Sequence, residues 1–509
     1  MSTESPHRLL KLAIQSLLRD EALAMEAMEH LPGELFPPVF TEAFTRGHAE
    51  VVKVMVQAWP FPYLPLRSLM DLRTPNPEYM QFGDRNKKKI LQTFEALLDG
   101  LDICLSQKVH HRRWKLQVLD WRDGHRDFWT AGPRAMNAAP LADSWNKETG
   151  KLGLTDKKPT LTIFANLCFE PYSSFNDTHD KLQLCLLNWV RKRKASVHLY
   201  SEKVMISSSA VFKILKLLQA VHLDSIRELE VFSEWSRKGM KAFVPQLKKM
   251  KNLHTFRFSS LSPNVFTAPG TNKLYSLMYA FHLGQLQNLR EFHMDDVFFL
   301  HGSLHKIFRS QTPLEALSLC SSPLKESDLK HLSQCASTSQ LKSLILRNIS
   351  MKSFNPGTLQ ALIHKLASTL ETLALEHCDI TDSHLLAILP ALSCCSRLKT
   401  FSYCGNHISL DVLLVLLRLT AGLSQLSKGL YPAPVESYEC NTPTTFVHPE
   451  QFAQVCAELA QVLQDIRPSL RIQICTYCYS CMMHKFYSLE HGGNWEVTEE
   501  DNYLRCSRC

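Results

Sequence analysis

A leucine pattern that occurs four times constrains the fold of this chain more than any other feature. The copies share apolar residues at positions 1, 4 and 6 of a six-residue segment, and their starts lie 27, 29 and 28 residues apart. They are Leu314-Glu-Ala-Leu-Ser-Leu319, Leu341-Lys-Ser-Leu-Ile-Leu346, Leu370-Glu-Thr-Leu-Ala-Leu375 and Leu398-Lys-Thr-Phe-Ser-Tyr403. Two copies complete the leucine-rich-repeat signature, one through Cys378 and Ile380 and the other through Asn406 and Ile408. The pattern predicts an α/β fold, a leucine-rich-repeat solenoid or horseshoe of strand–helix repeats about 28 residues long.

Each repeat should bury its leucines between a short strand and the amphipathic helix that follows it. Leu373, the central apolar residue of the best copy, is therefore expected in the interior, and the Cys or Asn of the signature should satisfy backbone groups at the turn. Weaker copies begin at Ile226, Leu253 and Leu289. The identities of the strand residues that should be exposed do not indicate which protein binds there. These residues include Glu315, Ser318, Ser343, Glu371, Thr372, Lys399 and Ser402.

Composition is consistent with a large globular chain that works inside the cell. Its 509 residues are 45% hydrophobic, and its 16 cysteines without a secretory pattern at the N-terminus indicate a reducing compartment. Cysteines inside the repeats, such as Cys320, Cys378, Cys394 and Cys404, are expected to be buried. No uncharged apolar run reaches the length of about 18 residues that a membrane span needs. The net charge of +8 is small for this length, so nucleic-acid binding would need local evidence.

Three regions are predicted along the chain. Residues 1–110 form an N-terminal helical region, which is interrupted where Pro37 and Pro38 should break the helical pattern. Residues 111–474 form the repeat domain, with its clearest copies at 289–430 and a flexible insert at about 122–158. Residues 475–509 form a short Cys-rich tail.

The cysteines of that tail suggest a structural zinc site. Cys475 and Cys478 form one C-x-x-C pair and Cys506 and Cys509 a second, with 27 residues between the pairs. Paired thiolates on tight turns hold zinc tetrahedrally, although the usual spacer is shorter. The other residues that can substitute as ligands are Cys481 and His484. The alternative is a loose tail whose end frays.

Two further motifs have a functional and a structural interpretation. The basic run Arg191, Lys192, Arg193 and Lys194 is either a nuclear-import patch or a solvated face, and no aromatic residues interleave it as in a nucleic-acid-binding stripe. The L-x-x-L-L patterns that start at Leu410 and Leu413 could dock on nuclear receptors, but in a repeat protein such leucines are expected in the core. No phosphate-binding loop, zinc-protease motif, serine-hydrolase motif or convincing carboxylate pair occurs, so no catalytic residues are predicted and the chain is not expected to be an enzyme.

Several segments together resemble the PRAME family (preferentially expressed antigen in melanoma and its relatives). The match extends over nearly the whole length, and the segments that carry it are Leu31-Pro-x-Glu-Leu-Phe-Pro-Pro-x-Phe40, Val56-Gln-Ala-Trp-Pro-Phe61, Arg113-Trp-Lys-Leu-Gln-Val-Leu-Asp120 and Tyr431-Pro-x-Pro-x-Glu-Ser-Tyr438. The chain departs from the family in its lysine-ended loop at 71–89 and in the insert at 122–158. The resemblance implies a leucine-rich-repeat horseshoe and two roles known in the family. One is the substrate receptor of a cullin 2 ubiquitin ligase that docks through elongin C. The other is a transcriptional corepressor, including of retinoic acid receptor signalling.

Two N-terminal motifs match the ligase role. Leu9, Ala13 and Leu17 lie at i, i+4 and i+8 on one helical stripe, as in an elongin-C-binding box, although Arg8 replaces the usual small residue at its start. Downstream, Leu31, Pro32, Leu35 and Val39 resemble a cullin 2 box. The structural alternative is that both stripes cap the open end of the solenoid.

Two functional hypotheses from different classes follow. The first is a substrate-recognition subunit of a ligase containing cullin 2 and elongins B and C, which binds a protein substrate on the concave face and promotes its proteasomal degradation. The second is a non-catalytic corepressor scaffold that binds transcription factors or nuclear receptors and so regulates differentiation, proliferation and apoptosis. Both place the protein in the cytoplasm and nucleus, without direct binding to nucleic acid or membrane.

Overall fold

The computed structural model describes most of the chain and divides it into two compact units. The described residues are 6–71, 83–107, 112–122, 126–130, 160–171, 177–259, 271–297, 301–308, 313–439, 446–466, 471–478, 483–489 and 495–498. The first unit is Met1–Ile226 and the second is Arg227–Cys509. This division falls inside the region predicted as repeats, and the three predicted domain bounds stay a prediction. Within the described residues, no helix is long and apolar enough to cross a membrane.

The first unit combines helices with a parallel sheet. Its helices are α1 (Pro6–Arg19), α2 (Glu21–Ala27), α3 (Phe36–Arg46), α4 (Ala49–Gln57), α5 (Leu66–Asp71), α6 (Gly83–Ser106), α7 (Arg126–Thr130), α8 (Asp177–Lys192) and α9 (Val211–Leu218). The predicted break after α2 is confirmed, but Pro37 and Pro38 lie in the first turn of α3. Proline is tolerated there because the first helical N–H groups have no partner within the helix.

The strands of the first unit are short and parallel. They are β1 (Tyr63–Pro65), β2 (Val118–Trp121), β3 (Leu161–Ala165), β4 (Leu167–Phe169), β5 (Val197–Tyr200), β6 (Lys203–Ile206) and β7 (Val221–His222). Five of them form one sheet in the order β1-β2-β3-β5-β7, and β4 pairs with β6. Along β3 and β5, buried and partly exposed residues alternate because one face of the sheet packs against the core.

The second unit is a succession of strand–helix repeats. Its strands are β8 (Glu228–Phe232), β9 (Thr255–Ser259), β10 (Glu291–Asp295), β11 (Ala316–Cys320), β12 (Ser343–Arg347), β13 (Thr372–Glu376), β14 (Thr400–Ser402), β15 (Lys428–Pro432), β16 (Arg471–Cys478), β17 (Met483–Leu489) and β18 (Trp495–Thr498). Its helices are α10 (Arg237–Leu247), α11 (Thr271–Leu283), α12 (Leu304–Ile307), α13 (Glu326–Gln334), α14 (Pro356–Leu366), α15 (Asp382–Ser393), α16 (Leu410–Thr420) and α17 (Pro449–Ile466). From β8 to β16 each strand is parallel to the next, as in a leucine-rich-repeat solenoid. Strands β17 and β18 then continue the sheet in antiparallel pairing.

The register of the repeat strands confirms the predicted pattern. Leu344, Leu373 and Phe401 are aligned across β12, β13 and β14, and Leu373 is completely buried. The weaker copies also form strands, namely β8, β9 and β10. Equivalent apolar positions therefore stack into one continuous core between the sheet and its helices.

The asparagine of the signature satisfies four backbone groups at the turn between repeats. Asn406 Oδ1 accepts from the N–H groups of Cys378 and Ile380 at 3.0 and 3.2 Å. Its Nδ2 donates to the carbonyls of Leu375 and Tyr403 at 2.6 and 2.9 Å. The predicted role of this asparagine is thus confirmed. Its side chain supplies the hydrogen-bond partners that backbone groups need where the chain turns.

Two expectations about packing were wrong in part. Residues 126–130 of the expected flexible insert form the helix α7, and its Phe128 and Trp129 are buried in the first unit; residues 131–159 lie outside the described residues. Among the repeat cysteines, Cys378 and Cys404 are buried as expected, but Cys320 is only partly buried and Cys394 is exposed.

Candidate partner-binding surfaces

Helix α1 presents one face to solvent and packs the other against the first unit. Leu9 is 62% exposed, Ala13 is exposed and Leu17 is partly buried. Ile14 and Leu18, on the opposite side, are buried. The i, i+4, i+8 stripe predicted from the sequence is therefore accessible over its first two positions.

Polar contacts fix the position of α1 and α2. Gln15 Nε2 on α1 donates to Glu42 Oε1 on α3 at 3.2 Å. The Asp20 carboxylate caps α2 by accepting from the N–H of Leu23 at 3.1 Å. Since the helix is held through its buried side, the exposed leucine is presented on an ordered scaffold.

The second N-terminal motif is only partly accessible. Pro32 is exposed, Leu31 and Leu35 are partly buried, and Val39 is 1% exposed. The Leu31 carbonyl accepts a hydrogen bond from Arg113 Nη1 at 2.9 Å. The four residues therefore do not form one exposed stripe, because Val39 faces inward from α3 and belongs to the core.

An aromatic cluster explains why several of the matching segments lie together in the first unit. Phe40 packs against Trp59 with ring centroids 5.1 Å apart and against Trp129 at 5.8 Å. Trp129 Nε1 also donates to the Pro65 carbonyl at 2.9 Å. The sequence analysis missed Trp129 because it lies next to residues poor in periodic apolar spacing, and its aromatic pair with Phe128 was the available signal.

The basic run at the end of α8 divides into three exposed residues and one structural residue. Arg191, Lys192 and Lys194 are exposed. Arg193 instead forms an ion pair with Asp102 on α6, and its guanidinium lies 4.8 Å from the centre of the Trp189 ring. The predicted patch therefore offers three basic side chains rather than four.

Cys475 lies within a strand and not on the tight turn that the zinc hypothesis assumed. Strand β16 runs without a turn from Arg471 to Cys478, whereas a C-x-x-C zinc pair needs a tight turn between its cysteines. Cys475 is buried in an apolar cluster with Cys404 and Leu430, and its hydrogen bond to Cys404 together with burial raises the pKa of the Cys404 thiol. The predicted zinc site stays a prediction.

The remaining members of that predicted site cannot be placed. The backbone of Cys478 and His484 is described but their side chains are not, and Cys481, Cys506 and Cys509 lie outside the described residues. Within the described part of the chain, no group of three or more His, Cys, Asp or Glu side chains is arranged to hold a metal.

We define the open face of the second unit as the side of its sheet opposite the buried leucines. A charged rim lies at the edge of this sheet where the strands begin, because the residue directly before each of five neighbouring strands is charged. Arg290 Nη1 and Lys342 Nζ each lie 2.7 Å from a carboxylate oxygen of Glu315. Glu371 and Lys399 form the next pair at 2.6 Å. The cations lower the pKa of both carboxyl groups. These charges, which alternate in sign from repeat to repeat, largely neutralise one another.

On the open face itself, several polar residues are buried rather than exposed. Arg347 Nε lies 2.6 Å from Glu376 Oε2, and Ser402 Oγ donates to Glu376 Oε1 at 2.5 Å. All three residues are buried, as is Ser318. The expectation that Ser318 and Ser402 are exposed was wrong. Both are small side chains with a polar partner in the sheet, Cys320 for Ser318 and Glu376 for Ser402.

The leucines of the L-x-x-L-L patterns are core residues. Leu413, Leu414, Leu416 and Leu417 are buried, and Leu410 is partly buried. The structural interpretation of this motif is confirmed, so these side chains do not form a docking helix on the surface.

Comparison with known proteins places both units in one family. A family model of the PRAME N-terminal domain matches residues 6–129, and one of the PRAME C-terminal domain matches residues 161–494. The human PRAME family member 12 is 40% identical over 492 residues, which cover 96% of this chain and 97% of the relative. The human PRAME family member 20 is 41% identical over 494 residues, covering 96% and 99%.

The similarity to a solved structure is much lower. A chain from the crystal structure of the Rad7 and Elc1 complex in yeast has a TM-score of 0.33 and 14% identity, and the match covers 81% of this chain and 93% of that one. A similarity of this size supports no inference about partners.

Proposed function

Because the chain belongs to the PRAME family, we propose that it is the substrate-recognition subunit of a ubiquitin ligase built on cullin 2 and elongins B and C. In this proposal the N-terminal helices dock the ligase, and the open face of the repeats holds the protein that is to be degraded. The protein contributes binding surfaces, and the chemistry of ubiquitin transfer is carried out by the other subunits.

The accessibility of α1 is the observation that carries the proposal. Leu9 is 62% exposed on a helix whose other side is anchored by Ile14 and Leu18. Burying a leucine side chain contributes roughly 1.5–3 kcal/mol. A small residue such as Ala13, one turn further on, allows a partner helix to approach closely. Helix-in-groove recognition uses anchors with this spacing.

The proposed cullin contact rests on fewer residues than the motif contains. Pro32 is exposed and Leu31 and Leu35 are partly exposed, whereas Val39 is buried. We therefore assign the cullin 2 contact to Leu31, Pro32 and Leu35 and exclude Val39 from it. Because Arg113 also donates to the Met28 carbonyl at 2.9 Å, it holds the backbone that leads into this segment.

The target is expected to bind away from the charged rim. Glu315 is already paired with Arg290 and Lys342, and a partner that bound there would have to replace these ion pairs. Activity in both cytoplasm and nucleus is part of the proposal, with Arg191, Lys192 and Lys194 as the accessible part of the import patch.

The docking role of α1 can be tested with two matched variants. Leu9→Asp should reduce co-purification of elongin C from cells by about tenfold or more, since loss of a hot-spot anchor typically costs at least about 2 kcal/mol. Leu23→Asp is the control, because Leu23 is 53% exposed on α2 and lies outside the motif. If both variants recover elongin C equally well, Leu9 on α1 is not part of the interface with elongin C.

The cullin contact has its own test. Leu35→Ala should reduce recovery of cullin 2 while elongin C is still recovered. If the unaltered protein recovers neither partner from cells, the ligase proposal fails and the corepressor scaffold takes its place.

A further inference from the structure

Two histidines meet on the partly exposed face of the first unit's sheet. His198 lies on β5 and His222 on the neighbouring strand β7, where Tyr200 is the register partner of His222. His198 and Tyr200 point to the same face because side chains alternate along a strand, and the residues between and before them are buried. The Nδ1 atom of His198 lies 3.3 Å from the Nε2 atom of His222.

The surroundings hold this pair in place. The rings of Tyr200 and His222 stack at 4.7 Å with an angle of 10° between their planes. The backbone after His222 is fixed by Ser225, whose hydroxyl donates to the His222 carbonyl at 2.6 Å and accepts from the N–H of Ser201 at 2.9 Å. The His222 imidazole therefore has limited freedom to rotate.

The spacing of the two nitrogens suits a metal ion as well as a proton. Zinc binds imidazole nitrogen at about 2.0–2.1 Å in tetrahedral geometry, which places two such nitrogens about 3.3–3.4 Å apart. The observed separation is 3.3 Å. In the metal-free protein one ring donates its N–H to the other. When a metal binds, that proton moves to the other nitrogen of the donating ring, so that both facing nitrogens present a lone pair, and the rings rotate to direct these lone pairs at the metal.

The protonation state also favours metal binding. Burial and the neighbouring His222 lower the pKa of His198. A neutral imidazole, which keeps a lone pair, is the form that binds metals. The lowered pKa of His198 therefore favours the form of this ring that can bind a metal.

We propose that His198 and His222 form a two-histidine site for Zn²⁺ on the sheet of the first unit. Because the described residues provide no third His, Cys, Asp or Glu in ligand geometry, water or a side chain of a bound protein completes the coordination. Such a site with open positions is suited to bridging a partner, whereas structural zinc sites are closed.

Zinc titration of the full-length protein tests the site. Isothermal titration calorimetry with Zn²⁺, in the presence of a non-thiol reductant, should show about one more zinc per chain for the unaltered protein than for His198→Ala or His222→Ala. The same histidine-to-alanine change at His254 is the control, because His254 is partly exposed and its Nδ1 is 2.6 Å from the carbonyl of Asn252. Any zinc held by the terminal cysteines is common to all of these proteins and cancels in the comparison.

A second variant separates metal binding from folding. His222→Gln keeps a polar side chain that can hydrogen-bond His198 but removes a good zinc ligand, so it should melt like the unaltered protein and still bind one zinc fewer. Equal zinc binding by the unaltered protein, His198→Ala and His222→Gln would overturn the proposal and leave the pair as a hydrogen bond only.

Discussion

The repeat strands of the second unit and the N-terminal helices of the first unit use the same residue, leucine, with different outcomes. Leu317, Leu344 and Leu373 occupy equivalent strand positions and all are buried. In α1, by contrast, Leu18 is buried and Leu9 is exposed. A repeat strand has one face covered by its own helix, so position in the motif decides burial. The buried face of a peripheral helix depends on what packs against it, which the local sequence does not specify.

The same substitution in the two regions should give the largest contrast. Leu373→Asp places an unpaired charge in an apolar interior and should destabilise the second unit by more than about 4 kcal/mol. Leu9→Asp changes an exposed side chain and should stay within about 0.5 kcal/mol of the unaltered protein. Thermal melting followed by circular dichroism compares them, and a normal melt for Leu373→Asp would show that the repeat register is wrong.

A smaller contrast in stability is expected between variants of two ion pairs in the repeats. The distance between the charged atoms is the same in both pairs. The pairs Arg347–Glu376 and Lys399–Glu371 both measure 2.6 Å, but the first is buried and the second is partly exposed. Glu376→Ala leaves a buried arginine without its carboxylate and should cost about 3–5 kcal/mol. Glu371→Ala should leave the urea unfolding midpoint almost unchanged, and equal shifts for both variants would contradict the burial assigned to Glu376.

The smallest contrast lies within α1 itself. Leu18→Ala opens a cavity under the helix and should cost about 2–3 kcal/mol. Leu12→Ala removes a side chain from the exposed face and should have almost no effect, since Leu12 is 55% exposed. Urea unfolding of both variants measures the difference, and a larger loss for Leu12→Ala would mean that α1 packs through its other face.

Much of the repeat architecture could be predicted because each repeat contains the spacing of apolar residues that places its strand and its helix. The spacing of apolar residues predicted β11–β14, and the role of Asn406 followed from the need to satisfy backbone groups at a turn. The candidate sites were harder to predict. Val39 matched a docking motif but is buried, and Arg193 matched an import patch but pairs with Asp102. In both cases the motif supplied the residue type, and a distant segment decided its environment.

The sequence by itself determined the leucine-rich-repeat solenoid, the identity of its interior leucines and the resemblance to the PRAME family, because these depend on residues at fixed spacing along the chain. Only the tertiary structure decided which side of α1 is exposed, that Phe128 and Trp129 join the aromatic cluster of the first unit, and that His198 meets His222. Contacts between residues far apart in the chain depend on how whole elements pack, and no periodicity within one element encodes its neighbour.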